Sequence, residues 1–285
     1  MRSLFVRCFL FVGILLSSFK LWASPQQSEL LIIQNDTIRI YQILLPNEIV
    51  KSLYDIANSR SSESDFIKAL ASNLNNWRGY RGIWELAEDN LYLVGFEFGF
   101  NGLDLGQLFP TKIKDGRVLA DWFNSTLIIP KGKVLRWDGI FSRTYVAEEH
   151  LTFNNGHLTS SKMVQNYVHL PNGIRRAQDS DESRKEIADV LFKSIVSVET
   201  DWNALEERYW KGVMGEYFIT IGKNGRVISV EDLFNEHSPI TRLFKRRLQG
   251  LQFDIIKFNG KPYEEVIRLW IDLNEDDNKL ELDLY

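Results

Sequence analysis

Hydrophobic and polar residues alternate most regularly over residues 77–100, on both sides of a short polar turn at residues 88–90. The apolar positions that share one parity are Tyr80, Trp84 and Leu86 before the turn and Tyr92, Val94, Phe96 and Phe98 after it. Alternation with a period of two is typical of half-buried strands, and two such runs around a turn predict an antiparallel hairpin. We expect neighbouring strands to pack on the apolar face of this hairpin.

The rest of residues 24–172 predicts further hairpins and two short helices. Apolar residues at helical spacing indicate the helices, at residues 47–57 and 64–74. The predicted strands are residues 30–33, 38–43, 119–123, 126–129, 133–137, 144–153 and 157–163. Turn residues at 130–132 and the pair Asn155-Gly156 separate neighbouring strands, and an Asn-Gly pair is the strongest short signal of a hairpin. Residues 24–172 are therefore predicted to form a mostly antiparallel β domain with short helices, arranged as a meander.

Residues 173–181 are polar and rich in turn formers, which indicates a linker. The pattern changes after it, because the apolar residues between 187 and 198 recur at helical spacing. A further domain is therefore predicted over residues 182–285.

The predicted C-terminal domain contains a hairpin, a helix and a closing strand. The hairpin turns at Asn224-Gly225, and the helix begins at Pro239 and stops at Gly250. A long apolar strand follows at residues 263–273, with a frayed acidic tail after it. This order predicts helices on a small antiparallel sheet, so the fold class of the whole chain is α+β.

Composition is consistent with a folded protein of about two domains, since the chain has 285 residues. Hydrophobic residues make up 44% and aromatic residues 13%, which is enough for a sizeable core. The net charge of −4 lacks the basic excess typical of nucleic-acid-binding proteins. We therefore predict no nucleic-acid partner.

Residues 1–23 have the pattern of an export signal. Arg2 and Arg7 are followed by an apolar run over residues 8–19, and Ala23 offers a small residue for cleavage. The run is shorter than the roughly 20 residues of a membrane-spanning helix. We predict an exported protein of the bacterial periplasm without a transmembrane span in the mature chain. Retention of residues 1–23 as an N-terminal anchor is the alternative.

No residue pattern predicts catalysis or a bound cofactor. The single cysteine, Cys8, lies within residues 1–23, so the mature chain is expected to lack a disulfide or a thiolate metal site. In the Asn155-Gly156 hairpin His157 would pair with Asn154, which places His150 roughly 14 Å away along the sheet. That separation is too large for one metal ion. Phosphate-binding, nucleophile-elbow and zinc-helix motifs are absent from the sequence. We predict no metal, no cofactor and no enzymatic activity.

The last third of the chain carries a family resemblance. It contains the runs EYFITIGKNGRVISVEDL, SPITRLFKRRLQGLQFDIIKFNGKP and EEVIRLWIDL. These runs resemble a TonB C-terminal-type domain, with residues 223–227 matching its turn and residues 260–262 matching the segment after its helix. The resemblance implies an interaction domain that pairs with partners through an exposed strand. The chain lacks the long Pro-rich spacer of an energy transducer, so the resemblance bears on the fold rather than on that role. The N-terminal run WRGYRGIWEL resembles uncharacterised exported proteins of Bacteroidetes-like bacteria, which implies no known chemistry.

Two groups of residues are candidate binding sites. The closing strand is the predicted sheet edge, where an envelope protein partner could add a strand at Glu265, Ile267, Arg268 and Leu269. An aromatic–arginine patch, which could stack on a sugar ring or bind an anion, comprises Trp77, Arg78, Tyr80, Arg81 and Trp84. Core aromatics with arginines at the rim are the structural alternative for that patch. The leading hypothesis is a non-enzymatic exported binding protein, and the alternative is a glycan- or anion-binding protein or enzyme that uses the patch.

Export makes a direct prediction for the mature N-terminus. Because cleavage is expected after Ala23, the intact mass of protein purified from the cell envelope should correspond to a chain that begins at Ser24. A mature species that retains Met1 would instead support the N-terminal anchor.

Overall fold

The computed structural model describes most of the chain. The described residues are 26–60, 78–98, 104–139, 141–177, 181–208, 213–233, 239–274 and 279–284. The predicted export segment, the helix at residues 64–74 and Trp77 lie outside them. In these ranges the chain is a mixed α+β protein in which strands predominate, and none of its helices has the length and apolar character needed to span a bilayer.

Strands outnumber helices among the described residues. The first elements are β1 (Glu29–Ile33), β2 (Asp36–Ile40), α1 (Asn47–Arg60), β3 (Tyr80–Ala87), β4 (Asn90–Phe98), α2 (Leu105–Leu108), β5 (Ile113–Lys114), β6 (Arg117–Leu119), β7 (Thr126–Pro130), β8 (Val134–Trp137), β9 (Arg143–Tyr145), β10 (Ala147–Asn154), β11 (His157–Gln165) and β12 (Tyr167–Val168). The later elements are α3 (Asp181–Val196), α4 (Trp202–Arg208), β13 (Gly215–Ile221), β14 (Val227–Asp232), α5 (Pro239–Leu248), β15 (Ile255–Phe258), β16 (Lys261–Pro262), β17 (Glu265–Asn274) and β18 (Lys279–Leu284).

Contacts divide the chain into two compact units. The first contains the described residues up to 85, together with 93–118 and 138–142. The second contains residues 86–92, 119–137 and the described residues from 143 onward. Residues on both sides of the predicted linker at 173–181 therefore belong to the second unit.

The first unit is built on the strand order β2-β1-β3-β4, with β6 paired to β4 and β5. The predicted first hairpin is confirmed, because β1 and β2 pair in register around Gln34 and Asn35. Both turn residues adopt positive φ, at 50° and 73°, as a type I′ turn requires.

The aromatic hairpin is also confirmed as β3 and β4, but its buried residues differ from the prediction. Tyr80 and Trp84 are buried on β3 as expected. On β4 the structure buries the predicted Phe96 but also Leu91 and Leu93, whereas Tyr92 and Val94 are half-buried. The buried residues of β4 thus change parity between Leu93 and Phe96, which strict alternation does not predict, and the prediction that placed Tyr92 on the inner face is wrong.

In the second unit, residues of β4 at the hairpin tip join β11, and the order continues to β10 and β7. The β10–β11 hairpin is confirmed, with His157 opposite Asn154 and with positive φ at Asn155 and Gly156. The predicted meander is wrong, because the sheet passes from β4 to β11 and only then through β10 to β7. The turn predicted at residues 130–132 is also wrong: the Lys131 amide donates to the Ala147 carbonyl and the Val146 amide donates to the Lys133 carbonyl, so β7 and β8 run in the same direction along β10 and β9.

The second unit also contains a four-stranded sheet in the order β14-β13-β17-β18. Helices α3 and α5 bury their apolar stripes against one of its faces, as the helical spacing predicts. The buried residues of this core include Ile187, Leu191 and Ile195 of α3, Phe244 and Leu248 of α5, and Tyr217, Ile219, Ile221, Val230, Leu269 and Ile271 of the sheet. Helix α3 ends at Val196, so Val198 lies beyond it and is exposed, contrary to its predicted place on the helix face.

The turn of the β13–β14 hairpin gives a stability test. Gly225 has a φ of +78°, and a Cβ at this position would overlap the carbonyl oxygen of Phe253. Gly225→Ala should therefore lower the free energy of unfolding by about 2 kcal/mol, measured by urea denaturation.

Gly250→Ala is the matched control, because a Cβ there would meet no atom within 4 Å. It should change the free energy of unfolding by no more than about 0.5 kcal/mol. Equal effects of the two substitutions would contradict the packing of this turn against Phe253.

Candidate functional site

The described members of the aromatic–arginine patch predicted from the sequence belong to the first unit. Arg78 is 5% exposed, and Tyr80 and Trp84 are 1% and 0% exposed. The Arg78 guanidinium donates to the Glu29 carboxylate at 2.5 Å, and the same carboxylate accepts hydrogen bonds from the Gly82 amide at 2.7 Å and the Trp84 indole at 3.0 Å. Arg78 and Trp84 therefore form a buried ion-pair cluster with Glu29. Together with the buried Tyr80, they present no surface to a sugar or an anion.

Electrostatics agree with a structural role for this cluster. Burial raises the pKa of the Glu29 carboxyl, although Arg78 opposes the shift. Arg81 is the remaining described member of the patch, and it forms an ion pair with Glu97 at 2.9 Å. The core alternative is confirmed for Tyr80 and Trp84, but Arg78 is buried rather than placed at a rim.

Histidines and carboxylates pair locally rather than gathering into a metal site. His150 contacts the buried Glu148 carboxylate at 2.8 Å, while Glu149 faces Lys131, so the two adjacent glutamates point to different sides of β10 as expected. Across the ranges that the structure describes, no group of three or more histidine, cysteine, aspartate or glutamate side chains could hold a metal ion.

The predicted edge strand, β17, has neighbours on both sides over part of its length. β13 pairs with it from Glu265 to Ile271, and β18 pairs with it from Leu269 to Asn274. The prediction that the closing strand is the sheet edge is therefore wrong from Leu269 onward. The sequence missed β18 because its residues follow an acidic segment that was interpreted as a frayed tail.

Within the described residues, Glu265–Arg268 is the part of β17 that pairs with β13 and with no second strand. The Leu233 amide donates to the Glu216 carbonyl, which makes residue 216 a hydrogen-bonded position between β13 and β14. Hydrogen-bonded positions alternate along an antiparallel strand, so Tyr217 and Ile219 bond to β17, at Leu269 and Ile267. The amide and carbonyl groups of Val266 and Arg268 consequently face away from β13.

Side chains beside this open edge are exposed and partly apolar. Val266 is 54% exposed and Trp270 is 43% exposed, on the face of the sheet opposite the helices. Between them, Arg268 donates to the Glu216 carboxylate at 2.7 Å and stacks over the Phe218 ring at 5.9 Å from its centroid. The open edge therefore offers backbone hydrogen bonds and a flat apolar surface together.

Two arginines fix the start of β17 through the Glu265 carboxylate. Arg136 donates to both carboxylate oxygens, and Arg176 donates to one of them at 2.7 Å. Burial alone would raise the pKa of the Glu265 carboxyl, but the hydrogen bonds and charges of the two arginines hold it below its usual value. Because Arg176 is only 1% exposed, its segment is packed against the unit, although the sequence predicted an exposed linker there.

A second carboxylate, Asp254, organises the chain next to this ion pair. It is fully buried and accepts hydrogen bonds from the Tyr167 hydroxyl, from His169 Nδ1 at 2.9 Å and from the Leu170 amide at 2.9 Å. Its own carbonyl accepts from Arg176 Nε at 2.7 Å. The residues that hold the start of β17 are thereby anchored in the core.

Sequence reasoning identified the strand that carries the open edge but not the residues that support it. Arg136 and Arg176 lie 129 and 89 residues before Glu265, and no local pattern connects them. Arg176 lies in a polar, charged segment, and that composition predicts a linker rather than a buried ion pair.

The fold and the edge define a strand-rich α+β protein with an incompletely covered sheet. No protein-family model matches the chain. The search of curated proteins gave no match, and none of the solved structures matched either.

Asp254 gives a pH-dependent stability prediction. Burial by itself would raise the pKa of this carboxyl, but hydrogen bonds from Tyr167, His169 and Leu170 lower it below its ordinary value of 3.8. The ionised form thus stabilises the fold above that value, and the contribution is lost as the pH falls through the lowered pKa. Asp254→Asn should cost about 2–3 kcal/mol at pH 7, measured by urea denaturation.

The difference between this variant and the wild type should shrink as the pH falls below about 4. Asp36→Asn is the control, because Asp36 is exposed at the start of β2. This substitution should change the free energy of unfolding by no more than about 0.5 kcal/mol. A constant difference for Asp254→Asn between pH 7 and pH 3 would contradict the role of the ionised carboxylate.

Proposed function

We propose that this chain is an exported, non-enzymatic interaction protein that binds an extended segment of an envelope partner by strand addition. The site is the open edge of β17 at Glu265–Arg268, in a C-terminal α+β domain of the TonB C-terminal type. In this proposal residues 1–23 direct export to the periplasm.

The observation that carries the proposal is the direction of the backbone groups at Val266 and Arg268. The amide and carbonyl groups of both residues point away from β13, and within the described residues β18 pairs no further than Leu269. An unpaired row of amide and carbonyl groups is a template for another strand, which gains main-chain hydrogen bonds without requiring a deep pocket.

Rigidity of the edge supports the same function. Glu265 is held by Arg136 and Arg176, so the first residue of the edge is fixed before a partner arrives. A pre-ordered strand loses less conformational entropy on binding than a flexible loop. The ionic contacts at Glu265 therefore favour recognition by the backbone of β17.

Arg268→Pro tests the proposed edge. Proline lacks the amide hydrogen, so it should remove one hydrogen bond to the partner without disturbing the bonds that Ile267 and Leu269 make to β13. The ligand is selected from a displayed library of random ten-residue peptides, and affinity is measured by fluorescence polarisation. The substitution should weaken the selected peptides by about ten-fold.

Arg268→Thr is the control, because it removes the same side chain and keeps the amide hydrogen. It should bind the peptides within about three-fold of the wild type, since an exposed ion pair contributes little. Circular dichroism must show that both variants are folded. If Arg268→Pro is folded and binds as well as Arg268→Thr, recognition does not use this edge.

A further inference from the structure

β18 lies along the same side of β17 that the proposed partner would use. It pairs with β17 from Leu269 to Asn274, directly beside the open positions Val266 and Arg268. The two stretches form one continuous line of backbone groups, of which the chain itself covers the second part.

We propose that β18 is a resident strand that a partner displaces, and that the partner segment carries apolar residues at every second position. This inference rests on the proposed function and names both its regulation and the chemistry of its ligand. The partner first pairs with Val266 and Arg268 and then extends along β17 as β18 leaves.

Ladder length favours exchange once a partner has docked. β18 pairs with six residues of β17, whereas β17 runs from Glu265 to Asn274. A partner strand that covers the whole of β17 therefore makes a longer ladder than β18 does. Competition with β18 lowers the apparent affinity of the partner, and the loss is larger when the fraction of molecules with β18 already displaced is smaller.

The register of β18 defines the chemistry that a replacement strand must supply. Leu284 lies opposite Leu269 and Leu282 lies opposite Ile271, and both β17 residues are fully buried. Directly opposed residues of an antiparallel pair share a face of the sheet. A partner in this register must bring apolar residues to these alternate positions, and the intervening positions face the exposed Trp270 and Asp272.

The sequence of β18 itself provides a probe of this chemistry. A labelled peptide with the sequence of residues 279–284, KLELDL, carries leucine at every second position. The peptide LLLKED has the same composition without alternation and serves as the peptide control. Binding of both is measured by fluorescence polarisation on the full chain with Cys8→Ser.

A disulfide between β17 and β18 tests displacement directly. By the alternation described above, Asp272 and Glu281 form a hydrogen-bonded pair, whose Cα atoms are about 5.5 Å apart and so suit a disulfide. In the variant Asp272→Cys/Glu281→Cys, the oxidised form should bind KLELDL at least about ten-fold more weakly than the reduced form. Trp270→Cys/Asp283→Cys provides a second bridge if the first variant does not fold.

Removal of residues 279–285 should have the opposite effect and strengthen binding of KLELDL, with little binding of LLLKED. Equal binding by the oxidised and reduced forms would overturn displacement. If that equal binding is abolished by Arg268→Pro, the proposed function survives without displacement. If no folded form, including the truncated one, binds KLELDL or the library peptides, both proposals fail.

A second copy of the chain is the other possible occupant of this edge. Exchange of β18 between two copies would give a dimer of the reduced full chain, detected by light scattering, that the oxidised form cannot make. That result would overturn the assignment of the edge to a separate partner.

Discussion

The Glu265 carboxylate is the contact on which the arrangement of the second unit depends most. It receives hydrogen bonds from Arg136 of β8 and from Arg176, and so it joins three segments that are far apart in the sequence. Two partly or wholly buried guanidinium groups require an anionic partner, because an unpaired buried charge costs several kcal/mol. Burial lowers the pKa of Arg176, and Glu265 opposes that shift. The start of β17 is therefore located by electrostatics rather than by packing alone.

The Asp254 and Glu265 carboxylates hold different segments of the chain. Asp254 binds the chain from Tyr167 to Leu170 and holds Arg176 through its carbonyl, while Glu265 uses Arg176 to place β17. Gly173 lies so close that an added Cβ would overlap the Asp254 carboxylate. A segment with turn-forming composition is thus packed tightly because its polar groups are satisfied by buried partners.

Buried and exposed side chains are distributed along β17 on opposite faces of the sheet. Its inward residues Leu269 and Ile271 are buried beneath the helices, whereas Val266 and Trp270 remain exposed on the other face. An exposed strand edge invites uncontrolled pairing, and proteins limit that risk by keeping edges short, charged or covered. Here β18 covers part of the strand, and Arg268 adds a charge to the part that is left open. β18 and the Arg268 charge therefore both limit pairing of other strands with this edge.

Local chemistry was sufficient for two of the hairpin turns and for the main helices. Gln34-Asn35 and Asn155-Gly156 form hairpins because these residues tolerate positive φ, and α3 and α5 follow the helical spacing of their apolar residues. Tertiary structure alone decided the strand that pairs with β7, the buried residues of β4 and the existence of β18, since apolar alternation neither specifies a distant partner nor records a change of parity within a strand. It also decided the ion pairs of Glu265, because their energy depends on burial and on segments 89 and 129 residues away, which no local pattern records.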